Sequence, residues 1–75
     1  MNLQLARKLL LATEQQPGGR LSVRDRDSAR EIQMMIDAGL VQGKGPTERD
    51  PYSAQILTIT DEGLKFLRAL RDLPG

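Results

Sequence analysis

The sequence predicts a single α+β domain in which three helices and three short strands alternate as α-β-α-β-loop-β-α. Three observations point there. Ile32, Met35 and Ile36 form an apolar stripe at helical spacing that runs into Gly39, a helix stop, and then into Leu40-Val41, which open a strand. A polar segment rich in Gly and Pro, from Gly43 to Ala54, separates that strand from the apolar run around Ile56-Leu57. Ile59-Thr60-Asp61-Glu62-Gly63 then reads as the entry to a last helix.

The first helix is expected from Asn2, its cap, to about Gln16. Leu3, Ala6, Leu10 and Thr13 share one face, and Leu5, Leu9 and Ala12 widen it. Pro17-Gly18-Gly19 stops it, because proline restricts the residue before it and the glycines accept turn geometry. Leu21 and Val23 alternate with Arg20, Ser22 and Arg24, which suits a short strand paired with the later hairpin. Overlapping capping patterns allow the second helix to start from Ser22, Asp25 or Ser28; Asp25 is the preferred cap, with the helix running to Ala38. Strands are expected at Leu40 to Gln42 and about Gln55 to Ile59, with Ile56 and Thr58 on one face and Leu57 and Ile59 on the other. Thr60 caps the third helix. Asp61 and Glu62 complement the positive end of its dipole and Arg68 and Arg71 the negative end, while Leu64, Leu67 and Leu70, flanked by Phe66 and Leu73, form the buried stripe.

Composition narrows the classes of function. Seventy-five residues make one domain, close to the size below which small folds need a disulfide, a metal or a partner. The chain has no Cys and no His, so disulfides, thiolate ligands and imidazole ligands or bases are all missing. Burial of apolar side chains must supply nearly all of the stability. With no apolar run near the roughly 18 residues of a membrane span, and no secretory leader pattern, a cytoplasmic location in a bacterium or its phage is expected. Eleven basic and ten acidic residues give a net charge of +1, which selects no partner by itself. Tyr52 and Phe66 are the only aromatic residues, too few for a stacking platform for single-stranded nucleic acid.

Three segments carry a family resemblance: Leu5 to Leu10 in the first helix, Ile32 to Val41, and Ile59-Thr60 with Gly63, Phe66-Leu67 and Arg71-Asp72. In their order and spacing they resemble small winged-helix proteins of bacterial prophages, a family with no assigned activity. The resemblance implies a winged helix in which Gly43 to Ala54 is the wing, and a phage or prophage setting. One departure stands out. A DNA-binding winged helix has two helices between its first strand and the Ala-Gly-Leu turn. From Val23 to Gly39 there is room for one helix of three to four turns, so the helix-turn-helix is truncated.

Arg24, Arg26 and Arg30 are the best basic group for phosphates or guanine edges. Asp25, Asp27 and Glu31 interleave with them, so the segment has no net charge and fits a solvated surface of ion pairs better than a DNA-contacting one. In the wing, Lys44 and Arg49 face Glu48 and Asp50, again without excess. Arg7, Lys8, Lys65, Arg68 and Arg71 would form a basic face if the terminal helices are neighbours, or simply the exposed side of those helices. Leu9-Leu10-Leu11, Met34-Met35 and Ile56-Leu57 place apolar side chains outside a single core stripe. Leu9, Leu11 and Met34, with Tyr52, are therefore the expected partner-binding residues, and a homodimer is expected.

No enzymatic role is expected. Ser22, Ser28 and Ser53 lack a base partner other than carboxylates, Gly43 to Pro46 does not follow phosphate-loop spacing, and Asp61-Glu62 point to different sides of a helix. No metal site, cofactor, small-molecule substrate or membrane partner is expected. Two readings remain: a DNA-binding regulator contacting DNA through Arg24, Arg26, Arg30, Lys44 and Arg49, or an adaptor or inhibitor that binds a host protein through its apolar excess. Frequency among winged helices narrowly favours DNA.

Overall fold

The computed structural model describes residues 1–72; Leu73, expected in the stripe of the last helix, lies outside them. Helix α1 (Leu3–Gln15) leads to strand β1 (Leu21–Val23), then to α2 (Arg26–Asp37), the hairpin strands β2 (Val41–Lys44) and β3 (Ala54–Ile59), and α3 (Asp61–Arg71). The result is a small α+β fold with a three-stranded antiparallel sheet in the order β1-β3-β2.

Each helix starts on a side-chain cap. Asn2 Oδ1 accepts the Leu5 N–H at 3.1 Å and Asp25 Oδ2 the Ser28 N–H at 2.9 Å. Thr60 Oγ1 accepts the Gly63 N–H at 3.0 Å; of the competing starts for α2, the Asp25–Ser28 bond identifies Asp25 as the cap. α1 ends at Gln15, where Pro17 holds Gln16 in extended geometry (φ −75°, ψ 135°).

The end of α2 organises the rest of the chain. Gly39 turns left-handed at φ +77°, its N–H reaching the Ile36 carbonyl while the Leu40 N–H reaches Met35 at 2.9 Å. This double closure satisfies the last helical carbonyls and drops Leu40 and Val41 into the core. β2 accordingly begins at Val41, one residue later than expected, and continues to Lys44. The Leu40 carbonyl then accepts the Thr60 N–H at 3.0 Å, and the Thr60 hydroxyl lies within reach of both the Gly39 and Leu40 carbonyls (2.7 and 2.9 Å). Gly63 lies so close behind that a methyl group there would collide with the Leu40 carbonyl oxygen.

The expected alternation along β3 fails at one residue. Gln42 pairs with Thr58 but Gly43 pairs with Ile56, so Leu57 has no partner on β2 and forms a bulge. The extra residue shifts the phase of the strand. Ala54, Ile56 and Ile59 face the core, while Gln55 and Thr58 face outward, replacing the expected split of Ile56 and Thr58 against Leu57 and Ile59.

The core lies between the sheet and the helices, with Leu10, Ile32, Met35, Ile56 and Leu67 fully buried. α1 packs against both α2 and α3, while α2 packs on β2 and β3. Two neighbouring helices require α1 to bury a wide face, Ala6, Leu9, Leu10 and Thr13, with Leu5 and Leu11 packed at its margin. This corrects the expected partner role of Leu9, which at 6% exposure is core, and of Leu11, which packs against that core. Among the described residues no helix is long and apolar enough to cross a membrane.

Gly63→Ala places a methyl group against the Leu40 carbonyl and is expected to destabilise the fold by about 1–3 kcal/mol. At roughly 4–8 °C per kcal/mol for a domain of this size, a thermal melt reads it directly. Gly18 has open space around its Cβ position and no left-handed φ; Gly18→Ala is expected to raise the midpoint through about 0.4–1 kcal/mol of reduced unfolded-state entropy. Equal effects of the two changes would show that the Gly63 contact carries no constraint.

Candidate nucleic-acid interface

The five basic residues singled out in the sequence are brought together only in pairs. Arg24 follows β1 and Lys44 ends β2. Both line an open groove of about 470 Å³ beside the sheet, which Ser22, Gln55 and Asp50 also line. Ser22 and Lys44 are each register partners of Gln55, so the three residues form one row across the sheet. Arg26 and Arg30 line a second groove, of about 500 Å³, between α2 and the β2–β3 loop, with Glu48 on the loop side. Thr47 borders both grooves. Arg49 is exposed and lines neither.

The loop dividing the grooves has a closed tip. The Thr47 hydroxyl accepts the Asp50 N–H at 3.0 Å and the Thr47 N–H donates to the Asp50 carbonyl at 3.2 Å. Gln33 meets the base of the loop at Gly45, where any side chain would strike its amide oxygen. Its amide nitrogen donates to Asp37 Oδ1 at 2.9 Å. Gln33 thus lies between α2 and the loop, a position that the sequence pattern did not single out. Its spacing from Arg26 and Arg30, seven and three residues, is the signal that identifies a shared helical side.

The electrostatics of α2 differ from a count along the sequence. Glu31 balanced Arg30 on paper, but it points inward and is only 4% exposed. Its Oε1 accepts the Asn2 N–H at 3.0 Å, so the carboxylate lies at the positive end of α1. Its Oε2 is buried without a hydrogen-bond partner, as is Arg7 Nε. Asp25 is committed to the helix cap. The hydrogen bonds from the Ser28 backbone and hydroxyl hold its carboxyl below the ordinary aspartate value of 3.8, against a slight opposing desolvation and with help from the charge of Lys8. Among the described residues, ion pairs within 4 Å join only Lys65 to Glu62 and Arg71 to Glu14. The ion-pair surface that Asp27 and Glu31 offered to Arg30 does not form. The basic face considered for the terminal helices is partly neutralised, because α1 and α3 are joined by the Arg71–Glu14 pair at 2.7 Å.

Of the expected partner-binding residues, Met34 (40% exposed) borders the α2–loop groove and Tyr52 (54% exposed) stands on the loop outside both grooves. Among the described residues no three acidic side chains gather as a metal site would need. Compared with family models, with curated proteins and with solved structures, the chain has no significant match.

The Asp25 cap gives a signed pH dependence. Its folded-state pKa lies below the unfolded value, so its stabilisation is complete above about pH 3.8 and is lost as the pH falls through the lower, folded-state value. Asp25→Ala is expected to cost about 1 kcal/mol near neutrality. In denaturant titrations that difference should narrow steadily below pH 3.8; a constant difference down to full acid unfolding would assign the cost to something other than the ionised cap.

Proposed function

We propose that this chain is a winged-helix domain with a truncated helix-turn-helix, and that it binds duplex DNA through α2 and the β2–β3 loop, its wing. The sheet order and the loop between β2 and β3 support the architecture. One observation carries the function: the exposed Arg26 and Arg30 share the α2 side with Gln33 and have no carboxylate within pairing distance, because Glu31 is turned into the core. Arg offers a bidentate fork to phosphate or to guanine, and Gln offers an amide to adenine, so this side has the chemistry of base and backbone recognition.

The missing first helix of the helix-turn-helix matters for the footprint. In the usual arrangement that helix crosses the DNA backbone. Here Arg24 and Lys44, in the groove across the loop, are the residues that supply backbone contacts instead, with Arg49 on the loop itself. A phage or prophage regulator acting as a homodimer in the cytoplasm is the setting that fits. With Leu9 in the core, the large exposed apolar residues left for a second copy among the described residues are Met1, Leu3 and Tyr52, whereas Met34 belongs to the groove.

Fluorescence anisotropy with a labelled duplex across a salt series tests the reading. Five phosphate contacts, one for each of Arg24, Arg26, Arg30, Lys44 and Arg49, give a log–log salt slope of about −4.5, and the Arg26→Gln, Arg30→Gln pair is expected to flatten it by about 1.8. Affinity no tighter than about millimolar at low salt, or a flat salt dependence, would overturn duplex binding.

A further inference from the structure

The groove between α2 and the β2–β3 loop contains more apolar surface than a nucleic acid backbone uses. Met34 is 40% exposed, one of four large apolar side chains exposed among the described residues and the one of the four that lines this groove. It faces the same groove as Pro46 and Pro51 from the loop. Arg26 and Arg30 line it from the α2 side, two turns of one helical stripe ending on Met34. At about 500 Å³ the groove is large enough to take a bulky side chain, in the range of roughly 300–1,000 Å³ seen for small-ligand sites.

We propose that this groove docks a short acidic segment of another protein, one in which a large apolar side chain sits beside two or more carboxylates. The apolar side chain takes the surface between Met34 and the two prolines, removing it from water. The carboxylates meet the guanidiniums of Arg26 and Arg30, which have no acidic partner within 4 Å of their own among the described residues. Charge complementarity identifies the sign of the partner, and Met34 its apolar component. Methionine suits such a contact because its unbranched, polarisable chain adapts to the shape placed on it. Glu48, on the loop side, repels carboxylates from that wall and so orients the segment with its acids along α2. Such a segment and duplex DNA use the same two arginines, and the two ligands exclude each other. The docking itself does not depend on duplex binding.

The probe is a fluorescein-labelled 12-residue peptide in which Leu and Phe are separated by Asp and Glu, titrated with the full chain and followed by anisotropy. Saturable binding is expected. It should weaken about tenfold in the Arg26→Gln, Arg30→Gln double variant, the combined effect of two exposed charge contacts. Met34→Ala should weaken peptide binding several-fold while leaving duplex affinity within about twofold. All three sites are at the surface, and an unchanged thermal midpoint confirms that folding is intact. Two control peptides separate the contributions: with Asn and Gln in place of the acids, or with Ser in place of the apolar residues, binding should fall about tenfold. An acidic peptide lacking apolar residues that binds as well as the probe, or indifference to Met34→Ala, would overturn the proposal. Unlabelled duplex is expected to displace the probe. A probe that shows the Arg26, Arg30 and Met34 dependence yet resists displacement leaves docking standing and removes the duplex reading of α2.

Discussion

The Leu40 carbonyl is where the two halves of the fold are fastened together. It accepts the backbone N–H of Thr60, lies within reach of that residue's hydroxyl, and is approached from behind by Gly63. The same hydroxyl caps α3 by accepting the Gly63 N–H. The turn that ends α2 and the turn that starts α3 therefore fix each other. The hairpin between them, β2, the loop and β3, leaves from Leu40 and returns to Thr60, so its direction relative to α2 is set at that junction. A side chain at position 63 would push the two turns apart, and a right-handed residue at position 39 would misdirect the chain before it reached the sheet.

A second constraint works at the middle of α2. Burying a carboxylate is costly unless its oxygens find donors. Glu31 finds one in the Asn2 N–H and gains further from the positive end of α1. Asn2 in turn accepts the Leu5 N–H, so the pair reproduces a capping box whose acidic member comes from a different helix. The arrangement holds the start of α1 against the middle of α2. It also takes one negative charge away from the surface of α2, and Asp27, which stays exposed, pairs with neither Arg26 nor Arg30 within 4 Å. One side chain thus links helix packing to the sign of the surface.

Local chemistry made much of the fold legible. Asn2, Asp25 and Thr60 are short polar residues ahead of periodic apolar runs, Gly39 follows such a run, and Pro17 stops the helix before it; each acts through backbone geometry that a sequence displays directly. The bulge at Leu57 was not legible, because a one-residue phase shift depends on how β2 and β3 align around the Gly43 contact rather than on either strand alone. Leu9 was misplaced for a related reason. A helix with one neighbour buries a narrow stripe, and only the joint packing of α2 and α3 shows how wide the buried face of α1 is. Glu31 illustrates the limit for the candidate site. Its charge is visible in the sequence, but whether it faces solvent depends on the N-terminus of another helix.

The surface that carries the basic residues is nearly independent of the interactions that hold the fold. Arg24, Arg26, Arg30, Lys44 and Arg49 are all exposed and make no ion pair within 4 Å among the described residues, whereas the caps, the Leu40 junction and the Glu31 contact are formed by other side chains. For a domain of 75 residues without disulfides or imidazole ligands, this separation has a physical consequence. Stability is on the order of 5–15 kcal/mol for native domains and smallest for the smallest chains, so there is little to spare for strained or buried functional groups. Exposed side chains on a rigid helix and a closed loop tip can be exchanged at a cost within about 0.5 kcal/mol each. Recognition can therefore be retuned along α2 and the loop without threatening the core, provided that Gln33 keeps the loop seated at Gly45. The separation holds only while Glu31 stays inside: released to the surface, the same carboxylate would both loosen α1 and reduce the positive charge of the α2 surface on which the groove depends.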